Sequence, residues 1–430
     1  MKAVLKQGYK QTEVGVIPED WEVKTVGEIA EVKTGPFGSA LHEKDYVANG
    51  TPIITVEHLG ERGVYHSNLP MVSDADRVRL KAYSIRSGDL VFSRVGSVDR
   101  NALVRANEDG WLFSGRLLRV RLKNKAIDPH YLSFHFHSER FKQRVRRVRD
   151  VAVGQTMASI NTKILMGVSA IIPPTKAEQE AIAEALSDTD ALIESLEQLV
   201  AKKRHIKQGA MQELLTGKKR LPGFSEEWQE TSLLELAGGK KELFDDGDWI
   251  ESEHITNDGV RLIQTGNIGV GQFVDKEIKK YIFESSFVSL RCKELREGDL
   301  LICRLAEPAG RACVLSNIGE PKIVTSVDVT IFRPPSTVAN RIFLANLFST
   351  NQWFRDVSDR SGGTTHKRIS RGALGRLKIT IPTLPEQTAI ATILSDMDAE
   401  IAALETKLTK TRSIKQGMMH ELLTGKTRLI

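Results

Sequence analysis

The sequence predicts an α+β chain in which two β-rich domains alternate with two long helices. The helices should pair as an antiparallel coiled coil with pseudo-twofold symmetry. Three observations carry this. Residues 171–221 return 208 positions later as 379–429, with 31 identities in 51 aligned positions. Apolar residues within each copy alternate in steps of four and three, the seam of a coiled coil. The stretches before the copies instead show short apolar runs broken by turn residues, the pattern of strands. A period this long exceeds solenoid repeats of about 20–50 residues and indicates duplication of a domain together with its helix.

The expected division is 1–173 for an N-terminal segment and first domain, 174–221 for the first helix, 222–381 for the second domain and 382–430 for the second helix. Thr175 with Glu178, and Thr383 with Glu386, have capping-box spacing, in which hydroxyl and carboxylate each take an orphan N–H. Pro385 falls in a first turn that tolerates it, and Gly217 and Gly425 stand where left-handed caps close a helix. About 40 residues at about 1.5 Å each make a rod of about 60 Å. The seam runs through Ile182, Leu186, Thr189, Ile193, Leu196 and Val200. It recurs as Ile390, Leu394, Met397, Ile401, Leu404 and Leu408. Leu192, Leu199 and Ile206 form a parallel stripe that should widen the first copy's apolar face. Chain order makes the pair antiparallel, because the second helix leaves the domain that the first helix reaches.

The domains repeat more faintly. Gly15-Val-Ile-Pro-Glu-Asp-Trp21 is echoed by Pro222-Gly-Phe-Ser-Glu-Glu-Trp228, so residues 1–20 read as the continuation of the second helix and the repeat is circular. Pro52–Glu57 is a strand candidate. Arg86-Ser-Gly-Asp-Leu recurs as Arg296-Glu-Gly-Asp-Leu, a turn feeding a strand. Arg94 and Arg304 end those strands, as DNA contacts or as solvated strand ends. Pro129–Arg149, matched by 341–359, reads as a helix with Phe141, Val145 and Val148 inward. Arg140, Arg144 and Arg147 lie on the other face, suited to phosphate contact or simply to solvent. Gly-led loops follow. Gln155 and Thr156 in the first, and Lys367 and Arg368 in the second with Arg360 and Arg371 beside them, are residue types that hold phosphates or read base edges. A plain connecting loop is the alternative.

The chain has 430 residues, a formal charge of +6 and 27% charged residues, the composition of a globular protein with room for two or three domains. Residues 21–165 hold 23 Lys and Arg against 16 Asp and Glu, whereas 228–374 hold 19 against 20. Charge alone therefore does not make both domains nucleic-acid binders. No apolar run is long enough for a membrane span, and the start lacks the apolar core of a signal peptide. Cys292, Cys303 and Cys313 have neither disulfide parity nor zinc spacing, which fits a reducing cytoplasm. Phosphate-loop, dinucleotide, zinc-protease and nucleophile-elbow motifs are missing, and His130, His135 and His137 read as structural. No catalytic residue and no metal are expected. The reading is a binding protein.

These residues resemble the specificity subunits of type I restriction–modification systems. The likeness rests on Ile17–Trp21, on Thr34-Gly-Pro-Phe-Gly-Ser39 and on the Gly-Asp-Leu turns. Above all it rests on the duplicated Pro-x-x-x-Glu-Gln helix that ends in Leu-Leu-Thr-Gly. The resemblance implies two target-recognition domains separated by two conserved helices. Each domain would read half of a bipartite, asymmetric site in double-stranded DNA, with the coiled coil as a ruler. It implies two adenine methyltransferase subunits that bind S-adenosylmethionine and two ATP-driven, Mg-dependent restriction subunits, so that this chain binds no cofactor itself. Lys207, Gln208, Gly209 and their copies Lys415, Gln416, Gly417 form a candidate docking surface for the methyltransferases. A glycine inside a helix costs about 1 kcal/mol relative to alanine, so either a partner's backbone or the other long helix should approach closely there. Two alternatives stay open: a specificity subunit of a methylation complex without a restriction motor, and a coiled-coil scaffold with protein- or glycan-binding domains.

Overall fold

In the computed structural model the described residues are 7–36, 41–153, 159–363 and 367–429, without the side chains of 151–153. They form two compact units. One comprises residues 1–198 with 405–430, the other 199–404. The boundary therefore cuts both long helices, Lys176–Leu214 and Leu384–Leu422, each of 39 residues.

The first unit holds a four-stranded antiparallel sheet in the order Asn101–Leu103, Leu90–Ser93, Leu117–Leu122, Ala30–Thr34. A second sheet runs Leu112–Phe113, Thr51–Ile54, Met71–Val72, Tyr46–Val47. The second unit repeats both. One is Phe244–Asp246, Val329–Phe332, Leu300–Cys303, Ala312–Val314, and the other is Ile255–Thr256, Lys280–Ile282, Val260–Ile263, Ile323–Thr325. The Gly-Asp-Leu turns are structural in both. Gly88 and Gly298 have φ of 88° and 84°, a region that disfavours a Cβ. Asp89 accepts from the Arg86 N–H and from Arg121, as Asp299 does from the Arg296 N–H and Arg333. The strand expected over Pro52–Glu57 stops at Ile54, where a tight 3-10 turn, Val56–His58, takes over.

The helix expected over 129–149 is two helices, Pro129–His137 and Glu139–Val153. Ser138 adopts extended backbone between them, and its hydroxyl caps the Phe141 N–H at 3.3 Å. The second unit breaks at the same place, into Arg341–Leu347 and Asn351–Asp359, with Thr350 as the N-cap. Phe141 and Val145 are fully buried, as their spacing requires.

Each unit contains its own piece of the antiparallel helix pair. In the first, Asp190 meets Lys415 at 2.7 Å and Glu197 meets Arg412 at 2.6 Å. In the second, Lys203 meets Glu400 at 2.6 Å and Lys207 meets Asp398 at 2.5 Å. Ile182, Leu186, Ile193, Leu196, Val200, Ile390, Leu394, Ile401 and Leu408 are buried and Leu404 is half-buried. The stripe expected to widen this face does not: Leu192, Leu199 and Ile206 are exposed.

The repeated motif at the helix start has a different use from the capping box. Glu178 lies buried and pairs with Arg428, and Glu386 pairs with Arg220 at 2.7 Å. A bidentate, charge-assisted pair outweighs one neutral N–H, so only the Thr175 hydroxyl keeps a capping role, accepting from the Glu178 N–H at 3.2 Å. Gln179 accepts from the N–H of Asp128, the N-cap of the helix Pro129–His137, at 2.8 Å. It also donates to the Pro173 carbonyl at 3.1 Å. Gln387 does the same with the N–H of the N-cap Asn340 at 2.9 Å and the Pro382 carbonyl at 2.8 Å. Each Gln thus ties a long helix to its own domain, and each Glu ties the same helix start to the segment that follows the other long helix. At the far end Gly217 and Gly425 both have φ of 69°, and each packs on a tryptophan, Trp228 and Trp21. Tyr9 donates to the Gly425 carbonyl at 2.9 Å, so the hairpin Tyr9–Pro18 sits on the last turn of the second helix. The repeat is circular in space as in sequence.

Candidate nucleic-acid interface

In the second unit the basic loop and a cleft of about 560 Å³ share a rim. The strand Val260–Ile263 ends in a 3-10 turn, Thr265–Asn267, locked where Asn267 Oδ1 accepts from the Gln264 N–H at 3.0 Å. That turn presents Gln264 and Thr265 to the cleft. Trp249 and Ile278 stand on its walls, 67% and 87% exposed. Lys276 and Lys280 are exposed and have no ion pair among the described residues. Lys276 Nζ crosses Gly266, where a Cβ would lie 2.3 Å away. Arg261 forms the floor, buried, donating to Asp275 at 3.1 Å and to the Lys280 carbonyl at 3.0 Å. Burial outweighs the nearby Lys293 and raises the Asp248 carboxyl.

The expected binding residues of this unit divide. Arg368 pairs at 2.8 Å with Asp328 on the cleft rim, and Lys367 is exposed with no side-chain partner among the described residues. Arg304 corrects the sequence expectation. It is 3% exposed, donates to the Val327 and Ile369 carbonyls and lies 3.0 Å from Asp246. A buried cation that holds backbone carbonyls cannot reach a phosphate without leaving them exposed to the loss of those bonds. Its role is to fasten the loop to the strand, reinforced by the bridge between Leu305 and Arg368. Arg371 is drawn to Asp245, and exposed Arg360 donates to the Asp356 carbonyl at 3.1 Å.

In the first unit Arg94 is half-buried, and the chain returns to its strand through the bridge between Val95 and Ser159. Gln155 and Thr156 lie outside the described residues. The turn equivalent to Thr265–Asn267 is closed by His58, whose Nδ1 lies 3.1 Å from the Thr55 N–H. The scaffold is the same, but it carries Thr55, Val56 and Glu57 where the second unit carries Gln264, Thr265 and Gly266. Arg147 is exposed, whereas Arg140 and Arg144 turn into a different cavity, against the second long helix. The three do not form one phosphate-facing edge.

Gln264, Thr265, Lys276 and Trp249 were missed at the level of sequence. One signal was available: Trp249 is a large aromatic inside a polar, acidic run, Asp245-Asp-Gly-Asp-Trp, with no apolar periodicity to bury it. Among the described residues no group of three His, Cys, Asp or Glu could hold a metal ion, and no helix is long and apolar enough to cross a membrane.

Two diverged domains on one repeated helical frame, each presenting different side chains from the same turn, define a double-headed recognition protein. The family model described as type I restriction modification DNA specificity domain matches residues 18–202 and 225–412. The chain is 26% identical over 438 residues to a provisionally assigned MjaX type I restriction enzyme specificity subunit of Methanocaldococcus jannaschii, covering 99% of this chain and 97% of the relative. It is 23% identical over 446 residues to the MjaVIII specificity subunit of the same organism, covering 100% and 98%. The S subunit of a type I restriction–modification system from M. genitalium shares the fold, with a TM-score of 0.57, 14% identity and coverage of 94% and 96%. A chain from a study of complex assembly in a type I system also shares it, with a TM-score of 0.55, 16% identity and coverage of 96% and 99%. The chain belongs to the type I restriction modification DNA specificity family, and it supplies DNA-sequence specificity.

Proposed function

We propose that this chain reads a bipartite, asymmetric site in double-stranded DNA, one half with each domain, and catalyses no reaction itself. Two methyltransferase subunits supply S-adenosylmethionine chemistry on adenines of opposite strands. Two restriction subunits supply ATP- and Mg-dependent translocation and cleavage. The observation that carries this reading is the contrast within the repeat. The helix-end ties of Gln179 and Gln387, and of Arg428 and Arg220, are the same in both units, while the equivalent turns of the two domains carry different side chains. Two copies of one partner need the same docking surface, whereas two half-sites need different reading surfaces.

For docking we assign Ile206, Gln208 and Gly209 and their copies Ile414, Gln416 and Gly417, all exposed. A Cβ added at Gly209 or Gly417 would meet nothing within 4 Å, so close packing of the two long helices is not what these glycines serve. Lys207 and Lys415 hold the helix pair through Asp398 and Asp190 and contribute only from that position. In the second domain, Gln264, Thr265, Lys276 and Arg368 are the residues best placed for bases and phosphates.

The test is co-expression with a cognate methyltransferase, followed by mapping of methylated adenines in the host DNA. The expected result is a split motif with two constant halves and a fixed gap. Methylation at a continuous site would mean that only one domain reads DNA.

A further inference from the structure

Arg140 and Arg144 open into a cavity of about 540 Å³ in the first unit, between the basic helix and the last turns of the second long helix. Its charges are not balanced. Lys142 is neutralised by Glu61 at 2.9 Å, Lys415 by Asp190 at 2.7 Å, and Glu139 is taken by Arg146 at 3.2 Å. Arg140 has no ion pair or side-chain hydrogen bond among the described residues. Arg144 has as direct contacts among the described residues only His135, at 3.4 Å, and the face of Phe141, while the Glu13 carboxylate acts on it from farther off. Burial first, and the charge of Arg140 second, bring the Arg144 guanidinium down to about 10.

The walls also carry buried polar atoms without partners. The Ile171 N–H donates to Nε2 of His135 at 3.2 Å, which leaves the ring proton on Nδ1, and Nδ1 has no acceptor. His137 is 9% exposed and neither ring nitrogen has a partner; Nε of Arg144 is also unsatisfied. Buried donors left unmade are costly, each about 1–3 kcal/mol. The residues that carry them all line this one cavity. The equivalent cavity in the second unit keeps the wall from the long helix, Leu215 and Thr216 for Leu423 and Thr424, but has Gln352, Asp356 and Leu347 where the first has Arg140, Arg144 and His135. The surplus of cationic donors is thus special to the first unit and does not belong to a surface that two identical partners share.

We propose that this cavity is an oxyanion site that takes a phosphate group, held by Arg140 and Arg144 with the Nδ1–H of His135 and the ring of His137. Two guanidinium forks and the imidazole donors outnumber the lone pairs of one carboxylate, whereas a phosphate brings three strong acceptor oxygens. The phosphate can come from a free nucleotide or inorganic phosphate, or from the DNA backbone. The second source rests on the DNA-reading function proposed above.

The experiment uses the full chain, with Arg140→Gln and Arg144→Gln as variants and Asp356→Asn as a control at the equivalent place. Arg140 has no ion-pair partner among the described residues to lose, so Arg140→Gln keeps the fold and remains informative if Arg144→Gln does not. Inorganic phosphate is titrated calorimetrically at constant ionic strength, and duplex DNA affinity is measured against salt. Binding of inorganic phosphate that weakens at least tenfold in Arg140→Gln, with the control unchanged, establishes a free-phosphate site. No phosphate binding, but a slope of log affinity against log salt that falls by about 0.9 in Arg140→Gln, assigns the site to the DNA backbone. Unchanged results in both arms overturn the proposal. Retained duplex affinity in that case leaves the DNA-reading function standing, while absence of duplex binding by the wild-type chain would remove that function separately.

Discussion

Replacing Gln179 by Met tests whether the Gln of the Glu-Gln motif fastens each domain to its long helix. Gln179 is 1% exposed, and the change keeps its length and removes its amide. Two bonds disappear, from the Asp128 N–H at 2.8 Å and to the Pro173 carbonyl at 3.1 Å. A third, to the Ala126 carbonyl at 3.4 Å, is long and its acceptor residue is exposed, so water replaces it. An orphaned buried donor or acceptor costs about 1–3 kcal/mol. Carbonyls tolerate partial satisfaction better than N–H groups, so the two together amount to about 3 kcal/mol. In a unit of about 200 residues that lowers the melting temperature by about 6–12 °C. The assay is thermal unfolding followed by circular dichroism, with Gln387→Met beside it. That variant loses the Asn340 N–H and Pro382 carbonyl bonds and should show an equal loss. Their effects should add, because the two sites share no partner. A loss under about 0.5 kcal/mol in either variant, the range of an ordinary surface substitution, would refute the reasoning.

Three other outcomes are expected. Gly209→Ala and Gly417→Ala should each stabilise the isolated chain by up to about 1 kcal/mol, since the added methyl meets nothing, yet weaken methyltransferase capture in a pull-down. Unchanged capture would remove these glycines from the docking surface. His137 is pushed down to about 4, by burial first and against the pull of Glu61. Its unfolded form therefore binds the extra proton between about pH 6.5 and pH 4, and stability is lost as pH falls through that window. His137→Leu should flatten that part of a stability–pH curve, and an unchanged slope would place the proton elsewhere. Joining residue 430 to residue 1 by a short linker and opening the chain at exposed Gly223 should preserve folding and methyltransferase binding, because Tyr9 already bonds to Gly425. Failure of the permutant to bind would count against the circular arrangement.

The long helices were legible residue by residue because their constraint is periodic and local. Ile182, Leu186, Ile390 and Leu394 fall on one face of any α-helix at that spacing, and a cap such as Gly217 needs only its own φ. Position along a helix says which side chains share a face, but not what covers that face. Leu192 and Ile206 therefore looked like core and are exposed. Glu178 and Glu386 looked like caps and are ion-pair partners of arginines 250 and 166 residues away along the chain.

The candidate site was less legible for the same reason. Arg94, Arg304, Arg140 and Arg368 are all cations near strand ends or on a polar face, and charge pattern alone treats them alike. Only the tertiary structure separates Arg304, buried on the Val327 and Ile369 carbonyls, from Arg368, at the rim of an open cleft. Only it brings Trp249, Gln264 and Lys276 to that cleft, from segments whose strands and turns say nothing of one another. The sequence by itself determined the duplication, the antiparallel helix pair and the family, because repeats, periodicity and caps are properties of the chain read along its length. The reading surfaces, the surplus charge around Arg140 and Arg144, and the difference between an anchoring and an available arginine were decided by folding, because burial and partnership depend on residues far apart in the chain.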